Sequence, residues 1–148
     1  MATITSSYLN ADVRGVPAFE VMDTFVGSNL VCTAEPAMTK PTRILMADNQ
    51  SFAQFTVVGL DANKKVVKAT FGGVTPIGIT LHAASSGANN TTKAAEVCLT
   101  GDFNAGIDDA GTDSPLVWDA SFDTLTKKKA AVIGNPLLRF GTRLVAAI

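Results

Sequence analysis

Two alternating apolar runs separated by a polar loop dominate the hydrophobic pattern, within residues 66–107. In the first, Ile77, Ile79, Leu81 and Ala83 share one parity while Gly78, Thr80 and His82 share the other; in the second, Ala95, Val97 and Leu99 oppose Glu96, Cys98 and Thr100. A period of two marks a half-buried strand. The intervening SSGANNTT is too rich in Gly, Asn, Ser and Thr to continue either run. The pattern therefore predicts two strands joined as a hairpin or crossing between sheets, with Cys98 on the outward parity of Glu96, which leaves partial exposure open. Gly72, Gly73, Gly101 and Gly106 stand at the strand ends as turn residues, since no phosphate-cradling spacing accompanies them.

The same reading extends along the chain. Residues 1–23 are small and polar with isolated apolar anchors, and predict an N-terminal arm; residues 24–148 predict a single β-rich domain. A strand over 24–34 is interrupted at Gly27, Ser28 and Asn29. Pro36 and Pro41 make residues 35–41 an extended surface crossing. Residues 43–47 and 52–60 predict strands, with turns at 48–51 and 61–65. Trp118 returns the chain to the core as a principal anchor. One helix follows, capped by Asp123 or Thr124 and ended by Gly134 and Pro136, with Leu125, Val132 and Ile133 on its buried face. Residues 137–148 predict a closing strand. The expected fold is mainly β (β-rich α+β): a small β-sandwich or barrel-like domain with one or two short helices.

Composition adds a surface argument. Hydrophobic residues make up 47% of the 148 and charged residues 17%, against about 25% charged in ordinary globular domains. A chain so short of charge predicts an oligomer or a docked protein that hides apolar surface against copies or partners. The net charge of −1 conceals a segregation: residues 1–93 sum to +1, residues 94–126 hold seven acids and no base, and residues 127–148 hold five bases and no acid. These blocks could meet inside one subunit or between neighbours. No membrane-length apolar run and no signal-peptide layout occur, which predicts synthesis in the cytoplasm and no membrane partner.

Candidate chemistry is sparse. His82 is the only histidine, and Cys32 and Cys98, 66 positions apart, match no metal or redox spacing and are expected as free thiols. A small β-barrel enzyme or ligand-binding domain would have to use His82 and Cys98. The run from Asp102 through Asn104 and Gly106 opens like a calcium loop, but Ile107 takes the place of the required glycine and Asp113 that of the bidentate glutamate. No catalytic residue, metal site or cofactor is expected. A pI near 5.7 and a single tyrosine leave no basic stripe or stacking platform for nucleic acid.

Several short segments, in order, resemble the lambda-type family of tailed-phage head decoration (capsid cement) proteins. They are Pro36-Ala37-Met38-Thr39; Pro76-Ile77-Gly78-Ile79 running into Ala83-Ala84; Thr100-Gly101-Asp102-Phe103; Trp118 beyond an acidic loop; Thr126-Lys127-Lys128; and Phe140-Gly141-Thr142. The resemblance covers about residues 36–148. It implies a non-enzymatic homotrimer on the outer surface of the expanded head, in the virion, clamping major capsid protein subunits. An arm of Thr3, Ile4, Thr5, Ser6, Ser7, Tyr8 and Leu9 would pair with a capsid strand, and Pro36, Met38, Asp108, Asp109 and Trp118 are candidate subunit or capsid contacts. The longer arm, an extra segment near 43–65 and an insertion at 134–138 depart from the family pattern and keep dimer and monomer open. A head-fibre or host-adhesion protein, which should carry an exposed aromatic or glycan-binding patch, is the remaining alternative.

Overall fold

In the computed structural model, residues 30–33 and 35–143 are described. The predicted arm, most of the expected 24–34 strand and the last five residues lie outside them. The described chain is mainly β. Ten strands, β1 (Val31–Thr33), β2 (Thr42–Leu45), β3 (Ser51–Phe52), β4 (Val57–Leu60), β5 (Val66–Lys68), β6 (Pro76–Thr80), β7 (Ala84–Ser85), β8 (Ala94–Cys98), β9 (Gly101–Asn104) and β10 (Leu138–Gly141), accompany one helix, α1 (Leu125–Ala130). They form a five-stranded sheet of order β2-β8-β6-β4-β5, a three-stranded sheet of order β1-β9-β10 and a ribbon of β3 with β7. All pairings between these strands are antiparallel except β10 with β9.

The two ends of the large sheet approach each other. Met46 bridges to Val66, and the Ala47 N–H donates to the Val66 carbonyl at 3.0 Å, so the sheet curls into a barrel-like layer. Both of its faces are covered. Val57, Ile79 and Cys98 look toward Phe103, Leu138 and Phe140 of the small sheet and toward Phe122. Val58, Val66, Ala95 and Val97 enclose a second core with Met46 and Phe52.

This double burial corrects the half-buried reading of the central pair. Gly78, Ile79 and Thr80 are all buried while Ile77 is only half-buried; the Thr80 hydroxyl donates to the Ala53 carbonyl and accepts the Thr56 N–H, so a polar residue at a buried position is satisfied. Cys98, for which its outward parity left exposure open, is fully buried, because residues 37–39 cover it, with Thr39 O at 3.4 Å from its thiol. Strands β6 and β8 do pair antiparallel, Ile79 against Cys98, and β7 in the connection leaves to join β3.

The expected strand 52–60 is two strands in two sheets. Phe55 sits between them at φ 62, where its N–H donates to Thr80 O and its carbonyl accepts from Val117. The polar connection is also more ordered than its composition suggests. Asn90 is buried; its amide donates to Met46 O and Lys93 O and accepts the Thr92 and Lys93 N–H groups.

Thr124 caps α1, accepting the Lys127 N–H at 3.2 Å, and Gly134 at φ 93 ends the following turns. Val132 packs into the core, but Ile133, expected beside it, is 83% exposed. The helix stops at Ala130, so the spacing that would align Ile133 with Leu125 is lost in the turns beyond it. No helix among the described residues is long and apolar enough to cross a membrane.

Candidate interaction surface

The short segments singled out in the sequence are scattered over more than a hundred residues, and the fold gathers several of them. The proline-containing crossing at 35–41 lies against Thr100, in the bend that joins β8 to β9. The Thr39 N–H and hydroxyl both reach the Thr100 hydroxyl, at 3.1 and 2.8 Å, and Thr100 Oγ1 donates onward to Ala37 O at 2.8 Å. The Cys98 thiol lies beneath, 3.4 Å from the carbonyl oxygens of Thr39 and Thr100. Beyond Thr100, Gly101-Asp102-Phe103 enters β9 and pairs in register with Leu138, Arg139 and Phe140 of β10. Trp118 packs on Phe140 and Phe122, with centroids 4.8 and 4.9 Å away, and Lys128 Nζ stands 6.0 Å over its ring.

Around this cluster the candidate residues divide. Met38 is exposed and Pro36 half-buried. Trp118 is half-buried, its indole Nε1 enclosed without a hydrogen-bond partner. Asp108 is exposed; its carboxylate accepts the Thr112 N–H at 2.9 Å and the Thr112 hydroxyl at 2.7 Å, which hold it below the usual carboxylate range. Asp109 accepts the Leu125 N–H at 2.8 Å. The candidate arm residues, Thr3 through Leu9, lie outside the described residues.

The acidic and basic blocks meet, in part, within the subunit. Lys127 pairs with Asp123 at 2.8 Å. Lys128 is buried and donates to the Asp109 carbonyl at 2.9 Å, fastening the acidic loop to the helix. Lys129 and Arg139 remain exposed. They flank an open groove of about 230 Å³ whose other lining includes Val132, Ile133 and Phe140, and Leu137, two residues before Arg139 in the chain, is 56% exposed. Nothing in the sequence pattern singles out this apolar patch, because Ile133 reads as core until the helix is seen to end early.

The residues on which an enzyme or ligand reading rests are not assembled. His82 is exposed and faces Glu96, Nε2 to Oε2 at 3.5 Å, whereas Cys98 is sealed and its thiol is pushed up by burial. The half-buried Cys32 thiol is pushed up to about 11, first by burial and then by the neighbouring Asp102 carboxylate, with Arg143 acting in the opposite sense. Asp102 and Asn104, which began the calcium-like spacing, are buried strand residues of β9 rather than loop ligands; Asp102 Oδ2 accepts the Thr33 hydroxyl and Oδ1 has no hydrogen-bond partner. No group of three His, Cys, Asp or Glu side chains suited to a metal ion occurs among the described residues.

An exposed aromatic does occur: Phe71 stands at the rim of a groove with Pro76 and Phe122. It meets Phe122 edge-on, and Lys127 Nζ lies 5.2 Å from its centroid, so one ring face is already occupied by a cation. No family model matches the chain, and no curated protein matches it.

Proposed function

We propose that the chain is a structural protein of a tailed-phage head, a decoration protein that binds the outer surface of the expanded capsid and clamps major capsid protein subunits. It acts without catalysis or cofactor, as a homo-oligomer, a trimer in the lambda-type arrangement, and its place is the virion surface. The arm of Thr3, Ile4, Thr5, Ser6, Ser7, Tyr8 and Leu9 adds to an exposed edge of a capsid strand, where main-chain hydrogen bonds supply affinity.

The observation that carries this reading is the convergence of the resembling segments. Pro36-Ala37-Met38-Thr39, Thr100-Gly101-Asp102-Phe103, Phe140-Gly141-Thr142, Trp118 and Lys128 pack into one unit through contacts their sequence order does not require. A second support is the surface: five large apolar side chains stand exposed among the described residues, in a chain with little charge to spare. For a device repeated many times over a shell, affinity comes from area and multiplicity rather than from a reactive group.

The test is cosedimentation of the full chain with expanded, undecorated phage heads, read together with the temperature at which the heads rupture. Saturable binding and a raised rupture temperature are expected, and removal of residues 1–12 should abolish both while leaving the circular dichroism spectrum unchanged. A full-length chain that stays in the supernatant and leaves head rupture where it was overturns the reading.

A further inference from the structure

Three of the five exposed large apolar side chains fall in the two charge-segregated blocks. Ile133, 83% exposed, lines a groove with Lys129 and Arg139, and Leu137, 56% exposed, follows Pro136 of the adjoining groove in the chain. Ile107, 49% exposed, is followed by Asp108, Asp109 and, across the loop, Asp113. Each patch is thus an apolar knob or groove with exposed charge of one sign beside it, the buried Lys128 ammonium lying beneath the acidic loop, and the exposed signs are opposite.

The acidic patch is held in one shape before it meets anything. Asp108 ties both the N–H and the hydroxyl of Thr112, Ile107 N–H donates to Thr112 O at 3.1 Å, Asp109 receives Leu125 N–H, and Lys128 grips the Asp109 carbonyl. A loop already ordered in the free chain loses little conformational freedom when it docks. On the basic side, no acid lines the groove between Val132 and Phe140 or the adjoining one formed by Gly134, Asn135, Pro136 and Arg139. Two acids touch Arg139 through the backbone: Glu35, exposed, whose carbonyl accepts from Arg139 Nη2 at 3.3 Å, and the buried Asp102, in register with it on β9.

We propose that these two patches meet between copies of the chain: Ile107 of one copy seats in the groove flanked by Ile133 and Leu137 of the next, with Asp108 and Asp113 against Lys129 and Arg139. Burial of the three apolar side chains drives the contact and the opposed charges fix its register. Because the two patches are different surfaces, the contact is heterologous, and copies joined by it close into a ring when the rotation allows. The proposal rests on the decoration reading in that it names the copy-to-copy surface of the oligomer, but it is read out on the isolated chain, without heads.

The experiment is sedimentation velocity of the purified full chain at about 0.1 mM in low and high salt, for the wild type and three variants, with thermal melting as a check on folding. The wild type is expected to sediment as an oligomer that weakens with salt. Ile133→Ser with Leu137→Ser, Lys129→Glu with Arg139→Glu, and Ile107→Ser alter exposed side chains, so all three should melt near the wild type yet sediment as monomers. A monomeric wild type, or an oligomer surviving in the groove variants, overturns the proposal. An oligomer lost in the groove variants but kept in Ile107→Ser overturns it too, since the groove would then hold something other than the loop. Heads bound normally by a monomeric variant leave the decoration reading standing, so the two failures are distinguishable.

Discussion

Gly78→Ala tests the claim that the central strand pair is pressed between two cores. Gly78 lies on β6 directly beside β8, and a Cβ there would run into the carbonyl oxygen of Cys98 while standing only 3.0 Å from both the Cys98 carbonyl carbon and Val97 Cγ1. A carbon and a carbonyl oxygen settle no closer than about 3.3 Å, so the strands must part by about 1 Å. Neither can yield freely. Ile79 is locked in one core and Val97 in the other, both fully buried, and Leu81 N–H donates to Glu96 O at 3.0 Å across the same pair. Overpacking of this kind costs about 1–3 kcal/mol, and one or two stretched ladder hydrogen bonds add about 1 kcal/mol each. The sum, about 2–5 kcal/mol, is a large part of the roughly 5–15 kcal/mol that holds a domain folded. At about 3–5 °C per kcal/mol for a chain of this length, the melting temperature should fall by about 6–25 °C. The assay is thermal unfolding followed by circular dichroism, with Gly87→Ala as the control: a Cβ at Gly87 meets nothing within 4 Å, and that variant should melt within about 2 °C of the wild type. A Gly78→Ala protein that melts with the control refutes the two-core account of the sheet.

Two further outcomes follow from buried polar groups. Asn90→Ala removes two donated and two accepted hydrogen bonds that tie the polar connection to Met46 and Lys93, and should cost about 2–4 kcal/mol in the same unfolding assay; a loss below about 0.5 kcal/mol would mean the loop is not held by this side chain. For Cys32, with its thiol raised from 9.0 to about 11, the alkylation rate in a Cys98→Ser background should keep climbing past pH 9, and near pH 8 ionisation alone should slow it about 100-fold relative to an ordinary thiol. The sign is that of a fold favouring the neutral thiol: the contribution to stability is whole below about 9 and fades as the pH rises to about 11. A rate that levels off near pH 9 would show the thiol to be freely solvated.

Local chemistry by itself determined a good deal of this protein. Alternation over 76–83 and 94–100 placed strands, the Gly, Asn and Pro clusters placed turns, and Thr124 with Gly134 bracketed the helix, because each signal depends on a residue's own backbone preferences and its nearest neighbours. The mainly β class follows from those alone. Tertiary packing decided which faces were covered. Alternation distinguishes two faces of a strand but cannot tell whether a second layer lies on the polar-looking one, and so Cys98 and Thr80 are buried where parity places them outside. It also decided where the helix ends and hence that Ile133 faces solvent: a helical stripe is read as core, and only the turns after Ala130 swing that side chain outward. The opposing charge blocks were visible in the chain, but their partial pairing through Lys128 and Asp109 was not, since a buried lysine bonded to a backbone carbonyl leaves no signature in the spacing of charges.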